Sequence, residues 1–167
     1  MSLASLQSLF AYKSWAQREL FALLATLPPE HAQPLYGCIR TLNHIHVVDE
    51  IFKAHLSAQR HPFAATNTPD TPSLAQLSAT SAATDAWYKQ YLACLEPAAL
   101  QETIDFAFTD GDHGRMTCEE MLLHVITHGA YHRGNVGQVL KSIGIAPPRE
   151  LYTRFLHSTE PQRRDQT

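Results

Sequence analysis

Apolar residues recur at helical spacing along four stretches of the chain, the pattern of helices that each bury one face. From Leu3 to Leu27 the repeat passes through Leu6, Phe10, Leu20 and Leu24, and Pro28-Pro29 stop it. A second stretch runs from Tyr36 to Leu56. Its Val48, Ile51, Phe52 and His55 share one side, while Asn43, His46, Asp49, Glu50 and Lys53 gather on another that reads as the solvent face. Thr71-Pro72 reads as an N-cap followed by proline at the first helical position, opening a third helix to about Leu95. In the fourth stretch Met121, Val125, Gly129, Val136, Val139 and Ile143 form the buried stripe, with Leu122 and Leu140 at its border. Thr117-Cys118-Glu119-Glu120 reads as its capping box, Gly144 as its C′ glycine, and Pro147-Pro148 prevent continuation.

The connections are legible too. The stretch from Ser57 to Pro72 is rich in Pro, Thr and Ala and predicts a loop. Ile104, Phe106 and Phe108 alternate with other residues before the turn chemistry of Asp110-Gly111-Asp112-His113-Gly114, which predicts a short hairpin or extended excursion. A short last helix is expected from Glu150 to Leu156. The chain thus reads as all-α, with one domain over residues 1–158 and a polar tail over 159–167, where Arg163-Arg164 are expected to fray.

Composition narrows the function more than the fold. At 167 residues, 44% hydrophobic and 17% charged, the chain suits a single domain with a substantial core. A net charge of −3 and a pI near 6.3 give no reason to expect nucleic-acid binding, and no DNA-reading module is evident. There is no apolar run of about 18 residues to span a membrane and no signal-peptide pattern. Cys38, Cys94 and Cys118 are odd in number and widely spaced, so they read as free thiols of a cytoplasmic protein, with Cys38 packing as a small hydrophobe.

The candidate chemistry lies in the histidines. His124, His128 and His132 fall one helical turn apart, so neighbouring imidazoles can reach one ion. All three cannot, because each four-residue step adds about 40° and the outer pair is splayed by roughly 80° and about 12 Å apart along the axis. His132 lies inside the apolar stripe and His128 at its edge, whereas His124 is rotated further out. His128 and His132 are therefore the ligand pair, and His124 is left to orient a ligand or relay a proton. A third ligand must come from another interior face. His44 is in register with Val48, Ile51 and Phe52, while His46 falls on the polar side and reads as a surface residue. No glutamate follows the first histidine of either HxxxH, so this is not the zincin protease motif. No ExxH pair occurs, which argues against a carboxylate di-iron bundle.

Leu42-Asn43-His44-Ile45-His46-Val47-Val48-Asp49-Glu50-Ile51-Phe52 resembles the second-helix signature of the DinB (DinB/YfiT-like) family. His124-Val125-Ile126-Thr127-His128-Gly129-Ala130-Tyr131-His132-Arg133-Gly134-Asn135 resembles its late-helix signature, and Tyr12-Lys13-Ser14-Trp15-Ala16 its first helix. The likeness covers nearly the whole chain. It implies a four-helix bundle holding a metal through one histidine of the second helix and two of the HxxxH, here His44, His128 and His132. The chain departs from the family at Asn135, often Gln, and near Phe52, where Trp is frequent.

Three neutral imidazoles on a divalent ion leave room for water, substrate or thiolate, so an open site suggests chemistry. Zinc fits the ligand set, and nickel or iron fit as well. The expected function is a metal-dependent enzyme acting on a small molecule. The resemblance implies a transferase or isomerase using a low-molecular-weight thiol, or a hydrolase, in a homodimer. The alternative is a non-catalytic metal-binding dimer with a structural or interaction role. Tyr131 and Arg133 flank the site as structural residues, and no Asp or Glu is placed as a general base.

Overall fold

The computed structural model of the chain describes residues 1–163. Four long helices dominate it: α1 (Leu3–Leu24), α2 (Ala32–Leu56), α3 (Leu74–Cys94) and α4 (Cys118–Ser142). A two-stranded antiparallel hairpin, β1 (Thr103–Ala107) and β2 (His113–Thr117), precedes α4, and a short helix α5 (Tyr152–Thr159) follows it. Local chemistry sets most of these limits. Ser2 caps α1 by accepting from the Ser5 amide. Thr117 and Glu120 form both bonds of a capping box at the start of α4. At its end the Ile145 amide bonds the Leu140 carbonyl and the Gly144 amide bonds the Lys141 carbonyl, the paired contacts of a Schellman motif, with Gly144 at φ +79°. Thr117→Ala is expected to cost about 1 kcal/mol, measurable as a lowered midpoint in urea.

Several boundaries differ from the sequence reading. Helix α2 starts at Ala32 rather than Tyr36, because Pro34 falls in its first turn, where a missing N–H costs nothing. Helix α3 is capped by Ser73, whose hydroxyl accepts from the Gln76 amide while Gln76 bonds back to the Ser73 N–H; that reciprocal box displaces the expected start at Thr71-Pro72. Helix α5 begins at Tyr152 because Glu150 is drawn inward to Arg133. Thr159 still belongs to α5 and Pro161–Arg163 form a 3-10 turn, so the expected tail is ordered at its start; residues 164–167 lie outside the described residues.

The closest helix pairs are α2 with α4 and α1 with α3, and α2–α3 and α1–α4 contacts complete the packing. Two apolar clusters result. One gathers Leu6, Phe10, Val48, Phe52, Tyr88, Leu92, Met121 and Val125, with Phe106 of the hairpin. The other gathers Leu20, Leu24, Leu42, Ile45, Leu77, Val136 and Leu140, and includes Cys38 as the expected small hydrophobe. Between them along the helices lies a buried polar belt. The Lys13 ammonium donates to Asp49 of α2 and Asp85 of α3, both at 2.7 Å, and the Tyr88 hydroxyl donates to the Asp49 carbonyl.

That belt corrects two readings of helical phase. The polar side of α2 is not a solvent face: Asn43 and Asp49 are 3% and 2% exposed, and Glu50 accepts from Thr84 of α3. Helix α2 packs against both α3 and α4, so its polar residues meet polar partners rather than water. On α4 the buried stripe passes through Gly129, Arg133, Val136 and Leu140, leaving Val139 exposed. A charged residue holds the position that a hydrophobic pattern skips, because Glu150 neutralises the Arg133 guanidinium at 2.6 Å.

The hairpin follows the alternation of Ile104, Phe106 and Phe108, with Gly111 at φ +95° in its turn. Gly114 is required for another reason. A Cβ there would sit 2.6 Å from Phe106 and 2.8 Å from Phe108, whose rings fold across the strand. Gly114→Ala should therefore displace both rings and cost about 1–3 kcal/mol, seen as a lowered melting temperature.

Candidate metal centre

The site forms where the most closely packed helix pair meets. Helix α2 supplies His44 and helix α4 supplies His128 and His132, one turn apart. One nitrogen from each of these residues lies within 4.8 Å of the other two. The Nε2 atoms of His44 and His128 are 3.0 Å apart, and the His44 ring meets both partners edge-on, with centroids at 4.8 and 4.6 Å. His124 is not in this group. It stacks on Phe52 at 4.6 Å and on His128 at 5.4 Å, behind the converging nitrogens.

The surroundings orient His44 and favour the neutral forms of His128 and His132. His44 Nδ1 lies 2.7 Å from the Thr66 carbonyl, which can only accept, so the proton sits on Nδ1 and the Nε2 lone pair points at the partner rings. The loop carrying Thr66 is tied down beside it. Arg40 donates to the Thr68 carbonyl at 2.6 Å, and the Asn43 amide donates to Asn67 and Thr68. Burial pushes the His128 pKa down to about 3, helped by His132, His44 and His124, and burial beside His44 lowers that of His132. Burial also lowers His124. The His44 and His128 Nε2 atoms at 3.0 Å, with His128 Nδ1 buried and unbonded, are close enough to share a cation. The donor set therefore fits a divalent ion of the kind that imidazole binds.

A cavity of about 260 Å³ adjoins the site, lined by His44, His128 and His124 with Val48, Phe52 and Phe106. Among the described residues, no carboxylate, lysine or arginine lines it.

The remaining candidates fall elsewhere. His46 is not an ordinary surface residue: burial lowers its pKa, and its Nδ1 is enclosed without a partner. The cause is the same as for Asn43 and Asp49, since this side of α2 faces other helices. Tyr131 touches His132 edge-on but is 68% exposed. Asn135 stands 3.4 Å from His132 Nδ1, at the long limit of a hydrogen bond. Cys38 and Cys118 are buried with thiol pKa values pushed up by burial, which leaves neither as an activated nucleophile. The sequence reading missed Thr66, because a main-chain carbonyl leaves no trace in residue type. It also missed Lys13, although the α1 repeat carries that residue between Phe10 and Leu20 on the buried side.

Comparison with known proteins agrees with this geometry. The profile of the DinB family matches residues 1–165. The chain is 25% identical to Protein DinB of Bacillus subtilis (strain 168), over 93% of this chain and 95% of that protein. No solved structure matches. With a match along almost its entire length and three histidines converging at the positions its motifs mark, the chain belongs to the DinB family.

Proposed function

We propose that the protein is a metal-dependent enzyme acting on a small molecule, built as a four-helix bundle in which His44, His128 and His132 hold one divalent ion. The observation that carries this reading is a cavity beside three converging imidazoles with no fourth ligand: among the described residues the metal-capable group consists of these three alone. A structural zinc site is normally closed by four protein ligands, and a closed site needs no adjoining cavity. The ion, zinc or nickel by ligand type and iron as a further fit, would supply Lewis acidity and lower the pKa of a bound water or thiol. Thiol-dependent transfer or isomerisation and hydrolysis both use that chemistry.

The chain's own residues then have separable tasks. Thr66 fixes the tautomer and tilt of His44. His124, neutral and stacked on His128, is placed to accept or relay a proton from a group in the cavity. No carboxylate is among the described residues of the wall, and His55, the other lining imidazole outside the triad, is the alternative for that role. We assign the molecule to the cytoplasm as a homodimer with no nucleic-acid or membrane partner. No helix among the described residues is long and apolar enough to cross a membrane.

The test is a cobalt-substituted protein titrated with a small thiol such as 2-mercaptoethanol. A new charge-transfer band at millimolar thiol is expected, and an unchanged spectrum would remove the thiol-transferase reading. Acidification should release the ion as protons compete for the ligands. Because His128 and His132 are both lowered, release should begin below the ordinary histidine range near about 6.5. Loss of cobalt already at neutral pH would contradict the neutral-donor description.

A further inference from the structure

The chemistry of the cavity wall specifies its occupant more narrowly than the three histidines do. Val48, Ile51, Phe52, Phe106 and Phe108 line it together with four histidines and two threonines. The aromatic rings form a connected set. Phe52 and Phe106 have centroids 6.2 Å apart, Phe106 and Phe108 are 4.8 Å apart at 69°, and His124 stacks on Phe52. Phe108 is 48% exposed although it lines the cavity, so part of its ring is uncovered. Gly114, lacking a side chain beneath Phe106 and Phe108, lets both rings fold over the hairpin toward α2 and α4.

We propose that the site takes an uncharged molecule carrying an aromatic or similarly flat apolar group, which packs against Phe52, Phe106 and Phe108 while its polar head meets His44, His128 and His132. This rests on the metal-dependent reading above and names its substrate class. A charged group packed against the Phe rings would lose its hydration and find no partner there, since among the described residues neither Lys, Arg, Asp nor Glu lines the cavity and the only cation would be the ion at the far, histidine end. A large anionic thiol such as a peptide thiol is excluded as the main occupant on the same ground. Size agrees: an apolar cavity of about 150 Å³ already holds a benzene ring, so 260 Å³ accommodates a ring with a short functionalised arm. Offset and edge-on contacts with the Phe rings, together with apolar burial, supply the affinity.

Two measurements test this, one without metal. Benzyl alcohol added to the metal-free protein should shift the methyl resonances of Val48 and Ile51. In the cobalt-substituted protein, benzyl mercaptan should bind at least about tenfold more tightly than 2-mercaptoethanol, and more tightly than glutathione. Phe108→Ser, at a position about half open to solvent, should erase most of that preference while the helical circular dichroism is retained. If benzyl alcohol leaves Val48 and Ile51 unmoved, or glutathione binds as tightly as benzyl mercaptan, the inference is overturned. If no thiol perturbs cobalt but benzyl alcohol still moves those methyls, the thiol-transferase reading fails while the apolar binding cavity stands.

Discussion

A His128→Ala protein is expected to bind zinc or cobalt at least on the order of 100-fold more weakly than the parent, while keeping its helical circular dichroism. His128 is adjacent to both other rings: its Nε2 is 3.0 Å from that of His44, and its centroid lies 4.5 Å from that of His132. Truncation leaves two imidazoles on different helices, too few for a stable site. The fold does not depend on the ion in the same way, because two apolar clusters and a polar belt hold the four long helices without it. Metal analysis and circular dichroism on the same preparation settle the matter. Unfolding on chelation or in the variant would identify a structural metal instead.

The second large effect belongs to the belt. Lys13→Met is expected to destabilise the protein by about 3–5 kcal/mol, because it leaves Asp49 and Asp85 buried without their shared cation. Removing one partner of a buried network is worse than never having built it. The charges also predict the pH dependence. Burial alone would lower the Lys13 pKa, yet Asp49 and Asp85 outweigh it and hold it raised. Burial pushes Asp49 from its ordinary 3.8 up to about 6, against the opposing pull of Lys13. A carboxyl raised on folding binds its proton more tightly in the native state. Its contribution is therefore most favourable below pH 3.8 and is lost as pH rises through about 6. In Lys13→Met that loss should be steeper, so acidification from pH 7 to 5 should recover part of the stability in urea titrations. A variant equally unstable at both values would show that the carboxylates are not the cause.

Much of this was readable from residue order where the signal is local. The capping box at Thr117, the stop at Gly144 and the alternation of Ile104, Phe106 and Phe108 each act over a few residues and appear as expected. The histidine selection also matched the geometry, although part of its reasoning did not. His132 was assigned to the apolar stripe of α4, whereas Arg133 occupies that line and His132 sits beside it, half-buried. The rings converge all the same, because a residue at the edge of the stripe faces the neighbouring helix that carries His44. What remained illegible depends on partners distant in sequence. Asp49 looks like a surface residue until Lys13 and Asp85 are brought to it, and Arg133 looks like one until Glu150 closes over it. Polarity patterns assume that polar residues seek water, and a helix enclosed on several sides breaks that assumption.

The bond between His44 and the Thr66 carbonyl has an evolutionary corollary. The group that sets the ring's tautomer belongs to the main chain, so every residue at position 66 would provide it. Exchange of the Thr66 side chain should thus be nearly silent, and relatives are free to drift there. Insertion or deletion between Ser57 and Ser73 is another matter, since moving the register by one residue takes the acceptor away from His44 and unseats the contacts of Arg40 and Asn43 with Thr68. The selective pressure on this segment falls on its length rather than on its letters.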